Sequence, residues 1–99
     1  MKDSDIKYLT HEYRVIAEME DRVEELKNKK KDYIKSLEKR FRRKGSLKEA
    51  QQRLKDHLER NPKGEEAKRL NQLEDRLRHV IKTLNAKKEY VESRRLSFD

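Results

Sequence analysis

The 99-residue chain lacks cysteine and tryptophan and contains one proline and two glycines. Without cysteine it has no disulfide framework, no thiolate nucleophile and no zinc–thiolate site. The scarcity of proline and glycine removes the residues that most often interrupt helices. No apolar run reaches signal-peptide or membrane-spanning length, which predicts an intracellular chain, cytoplasmic or nuclear, that does not insert into membranes.

Charged residues make up 48% of the chain and hydrophobic residues 31%. Such a composition is typical either of disorder or of long helices with thin cores, and periodicity separates the two. Apolar residues recur at alternating spacings of three and four, which predicts an all-α fold. These seam residues are Leu9, Ile16, Met19, Val23, Leu26, Tyr33 and Leu37, then Leu47, Ala50, Leu54 and Leu58, then Leu70, Leu73, Leu77, Val80, Leu84 and Val91. Ile6, Tyr13, Ile34 and Phe41 form a second row that widens the first seam at both ends.

Capping residues divide the pattern into three helices. Ser4 is suited to an N-cap and Gly45 to a left-handed C-terminal residue, while Ser46 and Glu49 have the spacing of a capping box. The sequence Asn-Pro-Lys-Gly at residues 61–64 predicts a further break. We therefore expect a single domain over residues 1–99, with helices at about 4–44, 47–60 and 65–93 and a flexible tail at 94–99.

The lengths favour one long helix paired with two successive antiparallel coiled-coil arms. Folding the chain back at Gly45 places Phe41 opposite Leu47, and it places Leu9 opposite Leu84 in the other arm. The break at residues 61–64 then falls beside residues 27–31, where the first helix lacks apolar seam residues. The alternative is a compact three-helix bundle, in which the third helix would overshoot the short second one.

Three segments carry a resemblance to a known family: HEYRVIAEMEDRVEEL (11–26), RNPKGEEAKR (60–69) and QLEDRLRHVIKTL (72–84). Together they resemble the occludin/ELL homology domain, the C-terminal helical domain of occludin, tricellulin and the ELL elongation factors. The resemblance matches His79 to the family's histidine, and Leu73, Leu77 and Val80 to its seam. It implies a docking module without catalysis that binds a scaffold protein. The Rho-binding helical hairpins are an alternative family of similar shape.

The sequence offers no pattern for catalysis, a metal or a cofactor. His11, His57 and His79 are far apart and have no His partner at four-residue spacing. Glycine-rich phosphate loops and nucleophile elbows are missing, and carboxylates alternate with bases as on a solvated face. We expect a protein that is not an enzyme and that needs no cofactor.

Positive charge is concentrated in one stretch of the chain. Residues 27–44 contain ten Lys or Arg and two acids, a net charge of +8, which equals the net charge of the whole chain. Cations at a helix C-terminus are favourable, but this number exceeds what a helix end requires. We expect these residues to bind an acidic protein segment or scaffold domain, the protein being a monomer or weak dimer. The expected partner-binding residues are Lys29, Lys30, Lys31, Lys35, Arg40, Arg42, Arg43 and Lys44.

The same cations would also serve a nonspecific nucleic-acid binder. Single-strand binding, however, uses exposed aromatic rings between the cations, and Phe41 and Tyr33 fall on the predicted seam.

A separate motif, SRRLSFD at residues 93–99, places Arg94 and Arg95 three and two residues before Ser97. Basophilic kinases recognise that spacing, so Ser97 is a predicted phosphorylation site.

Overall fold

The computed structural model describes residues 1–98, which form three α-helices. They are α1 (Asp3–Phe41), α2 (Leu47–Arg60) and α3 (Glu65–Ser97), and no strand occurs within the described residues. The predicted all-α class with a long first helix is confirmed. None of the helices in this part of the chain is long and apolar enough to cross a membrane.

The single domain expected from the sequence divides into two compact units, which we name for their place in the chain. The terminal unit comprises Met1–Glu25 and residues 77–98, and the central unit comprises Leu26–Arg76. Both α1 and α3 contribute residues to each unit. The units are described separately below.

In the terminal unit, α1 and α3 pack antiparallel around the predicted seams. Its core consists of Leu9, Ile16, Val23, Leu84 and Val91, flanked by partly buried Tyr8, Met19, Leu77, Val80, Ile81 and Phe98. The register differs from the expected one, because the ring of Tyr8 meets Phe98 with centroids 5.9 Å apart. Relative to the predicted pairing of Leu9 with Leu84, α3 is displaced by roughly three helical turns.

Ion pairs fix this register from outside the core. The buried Glu12 pairs with Lys87, and Glu20 lies 3.7 Å from the ammonium of Lys88. The pKa of Lys87 lies above its ordinary value, chiefly because its ammonium donates a hydrogen bond to the Glu12 carboxylate.

The second row of apolar residues does not widen the seam at this end of α1, contrary to the expectation from the sequence. Ile6 and Tyr13 are 50% and 45% exposed.

The C-terminal end of α3 is helical where a flexible tail was expected. The helix continues through Ser97, and the guanidinium of Arg94 lies 5.5 Å from the centre of the Tyr8 ring and 5.3 Å from that of Phe98. Cation–π contacts and the edge-on pair of rings hold the last turn against α1. Residues 94–97 therefore belong to the helix, and Asp99, the last residue of the predicted tail, lies outside the described residues.

In the central unit, the first turns of α3 run along α1. Lys30 pairs with Glu74, and Arg40 lies 3.4 Å from Glu66. The sequence predicted that the break at residues 61–64 lies beside residues 27–31. The pairing of Lys30 with Glu74 shows that it does not. The buried side chains of this unit are Leu26, Leu37, Ala50, Leu54, Ala67 and Leu73.

Helix α2 packs back against the end of α1. Gln51 donates to Glu38 at 3.2 Å, and the rings of His57 and Phe41 pack with centroids 5.0 Å apart at an angle of 49°. Phe41 thus packs against His57, further along α2 than Leu47, the residue expected opposite it. Leu47, which the periodicity placed on the seam, is 49% exposed.

The connection between α1 and α2 follows the prediction at its end, where α2 begins, but not at its start, where α1 ends. Ser46 is the N-cap of α2, accepting a hydrogen bond from the backbone N–H of Glu49 at 3.3 Å. Helix α1, however, ends at Phe41, and Gly45 does not adopt the positive φ expected of a left-handed cap. The Phe41 carbonyl accepts hydrogen bonds from the backbone N–H of Arg43 at 3.1 Å and from the Arg53 guanidinium at 3.3 Å. The end of α1 is therefore closed by the following turn and by a side chain of α2, without a left-handed glycine.

Candidate functional site

The central unit contains a groove of about 740 Å³ between α1 and the start of α2. Six of the side chains that line it are cationic, one is acidic and two are apolar. We call this surface the basic groove; its residues are Lys27, Lys30, Lys31, Ile34, Lys35, Glu38, Lys39, Arg42, Leu47 and Gln51.

Helical spacing explains why these side chains share one face. Lys27, Lys31, Lys35 and Lys39 follow each other in steps of four residues, and so do Lys30, Ile34 and Glu38, while Arg42 lies just beyond the end of α1. Residues four apart lie nearly above one another, so α1 presents two adjacent rows, one entirely lysine and one mixed. Like charges at this spacing destabilise a helix by a few tenths of a kcal/mol for each pair. The lysine row therefore does not contribute to the stability of α1.

The lysine row forms no ion pairs within the described residues. Among residues 1–98, no ion pair forms at Lys27, Lys31, Lys35 or Lys39. The lining acid, Glu38, accepts a hydrogen bond from Gln51 at 3.2 Å. The groove thus presents four exposed lysines that form no ion pair with residues 1–98.

Apolar side chains form the floor next to this row. Ile34 is half-buried, and Leu47 at the first position of α2 is 49% exposed. A smaller depression of about 360 Å³ shares Ile34, Glu38 and Gln51 with the groove. It is lined in addition by Leu54, Lys55, Leu58 and Leu70. The site therefore combines a row of cations with a short apolar strip, formed by Ile34 and Leu47.

The structure brings half of the predicted binding residues together. Lys30, Lys31, Lys35 and Arg42 line the basic groove, although Lys30 also pairs with Glu74. The other predicted residues, Lys29, Arg40, Arg43 and Lys44, do not line it. Lys27 and Lys39 do line the groove and were absent from the predicted set. The four-residue spacing through Lys31 and Lys35 is the sequence signal that would have found both.

Arg40 takes part in a separate cluster at the start of α3. Its guanidinium lies 3.4 Å from Glu66, whose other carboxylate oxygen lies 3.6 Å from the His57 ring. A hydrogen bond from its own backbone holds the pKa of Glu66 below the ordinary value, and His57 lowers it further. This cluster fixes α2 and α3 to the end of α1, which gives Arg40 a structural partner.

The aromatic residues near the cations are partly covered by the protein, which disfavours base stacking. Phe41 is half-buried against His57, and Tyr33 is also half-buried. The aromatic side chains with the largest exposure, Tyr13 and Tyr90, lie in the terminal unit. The predicted inward position of Phe41 is therefore confirmed.

The remaining predicted features lie elsewhere. Ser97 is exposed in the last turn of α3, where its hydroxyl donates to the Arg94 carbonyl at 2.7 Å. Within residues 1–98, no group of three His, Cys, Asp or Glu side chains is placed to hold a metal ion. Comparisons of the chain with family models, with curated proteins and with solved structures find no match.

Proposed function

We propose that the protein is a non-catalytic interaction module whose basic groove docks an acidic surface of a partner protein. The observation that carries the proposal is the row of four lysines that form no ion pair among residues 1–98, placed beside the apolar strip. The resemblance to the occludin/ELL homology domain supports the same kind of role, docking to a scaffold protein.

Physical chemistry supports an acidic protein as the ligand. Carboxylates in the groove would relieve the repulsion along the lysine row, and long-range attraction would accelerate the encounter. Contact with Ile34 and Leu47 would add burial of apolar surface, at about 25 cal/mol per Å². A ligand that offers both kinds of contact uses the site more fully than a purely charged one.

A nonspecific nucleic-acid binder is the second candidate, because the same cations would release counterions from a duplex. The half-buried positions of Phe41 and Tyr33 argue against binding of single strands by stacking. Phosphates also make no use of the apolar strip. These observations favour a protein partner.

Charge reversal in the groove tests the proposal. We expect the double variant Lys31→Glu, Lys35→Glu to bind a labelled glutamate-rich peptide at least about tenfold more weakly than the parent protein, measured by fluorescence anisotropy. The matched control, Lys29→Glu with Lys44→Glu, makes the same change of charge outside the groove and should lower affinity only by about twofold. Equal losses in the two variants would show that net charge alone drives binding.

A salt titration of binding to a DNA duplex of arbitrary sequence tests the second candidate, a nonspecific nucleic-acid binder. Tight binding of the duplex with a slope of log K against log salt of about −4 or steeper, together with weak binding of the peptide, would overturn the proposal in favour of nucleic acid.

A further inference from the structure

We infer that the segment bound in the basic groove is an amphipathic α-helix, acidic along one edge and apolar along the next, lying lengthwise beside α1. This inference rests on the proposed function and specifies the form of the partner. Two features of the groove carry it: the spacing of its cations and the position of its apolar side chains.

The lysine row has the repeat of a helix. Lys27 and Lys39 are twelve residues apart, which corresponds to about 18 Å along α1 at about 1.5 Å per residue. A partner helix with carboxylates at every fourth position has the same axial repeat, so successive acids can meet successive lysines. A segment of about three to four turns is long enough to cover the row.

The apolar strip requires a partner whose backbone is already hydrogen-bonded. An extended segment would place peptide N–H and C=O groups against the side chains of Ile34 and Leu47, which offer no hydrogen bonds. Residues 1–98 contain no strand whose edge could satisfy those groups. A helix bonds its own backbone and buries an apolar face in a groove between helices, a common mode of recognition. The composition of the floor therefore selects a helix over a strand.

The two rows of α1 set the pattern of the partner. Its acids would lie over Lys31 and Lys35, and its apolar residues would lie over Ile34 and Leu47, on the side toward α2. Neighbouring rows on a helix are related by steps of three and four residues. The partner helix therefore needs a leucine three residues after each acidic residue. Glu38 is the acidic residue lining the groove, and it would disfavour a carboxylate placed over the floor.

A second copy of the chain is a weaker candidate for this helix. Its most acidic stretch, residues 18–25, already uses Glu20 to pair with Lys88 and Glu25 to pair with Arg22. The apolar residues of that stretch face the core of the terminal unit, where Val23 is buried and Met19 is partly buried. An acidic edge with an exposed apolar row beside it is therefore not present there.

Two synthetic peptides of about 16 residues test the inference, the length following from the row. The first has Glu at every fourth position and Leu three residues after each Glu, on an alanine and glutamine background. The second has the same composition, scrambled so that neither residue recurs at four-residue spacing. We expect the patterned peptide to bind at least about tenfold more tightly and to gain helical circular dichroism on binding. Leu47→Ala should weaken it severalfold, and Lys31→Glu with Lys35→Glu should weaken it further.

Each other outcome has a definite meaning. Equal affinity for the two peptides would overturn the helix inference and leave the acidic-partner function standing. Binding of neither peptide would overturn both. Sedimentation of the protein alone completes the test: a dimer that Lys31→Glu with Lys35→Glu dissociates would assign the groove to a second copy and overturn the inference.

Discussion

The two units use charge in opposite ways. In the terminal unit, acids and bases of α1 and α3 neutralise each other across the helix pair, as at Glu12 with Lys87 and Glu20 with Lys88. In the central unit, four lysines of one face have no such partners among the described residues. Both units are built from highly charged helices, so composition alone would not separate them.

The difference shows which charges belong to the fold and which are available for binding. Paired charges at the edge of a seam select one register and exclude others. A row of like charges favours no particular register of the helices and slightly lowers the stability of its own helix. We therefore regard the terminal unit as the structural part of the molecule and the central unit as the part suited to a partner.

The largest expected effect comes from removing a core side chain of the terminal unit. Leu84 is 6% exposed, and Leu84→Ala should destabilise that unit by about 2–5 kcal/mol, through lost burial and a cavity. Hydrogen exchange should show protection lost in residues 1–25 and 77–98 and retained in Leu26–Arg76. Leu96, on the same helix, is 61% exposed, and Leu96→Ala should change stability by no more than about 0.5 kcal/mol. Equal loss of protection in both units would contradict the division.

A smaller effect is expected from the ion pair that helps to fix the register. Lys87→Met leaves the carboxylate of Glu12 buried without its ammonium partner, so it should lower the melting temperature, but by less than Leu84→Ala. Exchanging the two residues, Glu12→Lys with Lys87→Glu, should recover part of the loss.

The same pair makes a prediction about pH. Because the pKa of Lys87 is raised in the folded state, its contribution to stability is complete below the ordinary value of 10.5 and is lost as the pH rises through the folded pKa. Above that pH, the melting temperature of the parent protein should therefore fall more steeply with rising pH than the melting temperature of Lys87→Met. Parallel pH profiles for the two proteins would show that the pair is not formed.

Sequence reasoning identified the seams but not their register. Leu9, Ile16, Val23, Leu84 and Val91 are buried as the periodicity predicted. Sliding one helix by three turns returns its side chains to almost the same side, because eleven residues make about three turns. The apolar pattern therefore fits either register, and the choice depends on specific pairs such as Glu12 with Lys87, which heptad counting does not consider.

The site was predictable in its charge and not in its shape. Counting bases located the cationic stretch, and its four-residue spacing was present in the sequence through Lys31 and Lys35. The groove itself depends on how α2 packs against α1, which follows from contacts between different helices, such as Phe41 with His57. Leu47 illustrates the limit, since periodicity placed it in the core and the structure leaves it exposed at the groove.

The smallest expected effect concerns Ser97, at the end of the terminal unit. Its hydroxyl is exposed but lies in the last helical turn, next to the contact of Phe98 with Tyr8. Kinases grip extended backbone, so a basophilic kinase should label the protein slowly, and Phe98→Ala should increase the rate severalfold by loosening that turn. Incorporation of radiolabelled phosphate measures the rate, and Ser97→Ala should remove most of it while Ser46→Ala should not. Full labelling of Ser97→Ala would exclude the site.

The division of the chain also bears on the order in which it folds. Leu26–Arg76 is one contiguous stretch, whereas the terminal unit joins the two ends of the chain described here. Synthesis runs from the N-terminus, so residues 77–98 are made after every residue of the contiguous unit. Until residues 77–98 have left the ribosome, the apolar stripe of Leu9, Ile16 and Val23 has no partner helix and is exposed to other chains. We therefore expect the aggregation of nascent chains to depend on this stripe.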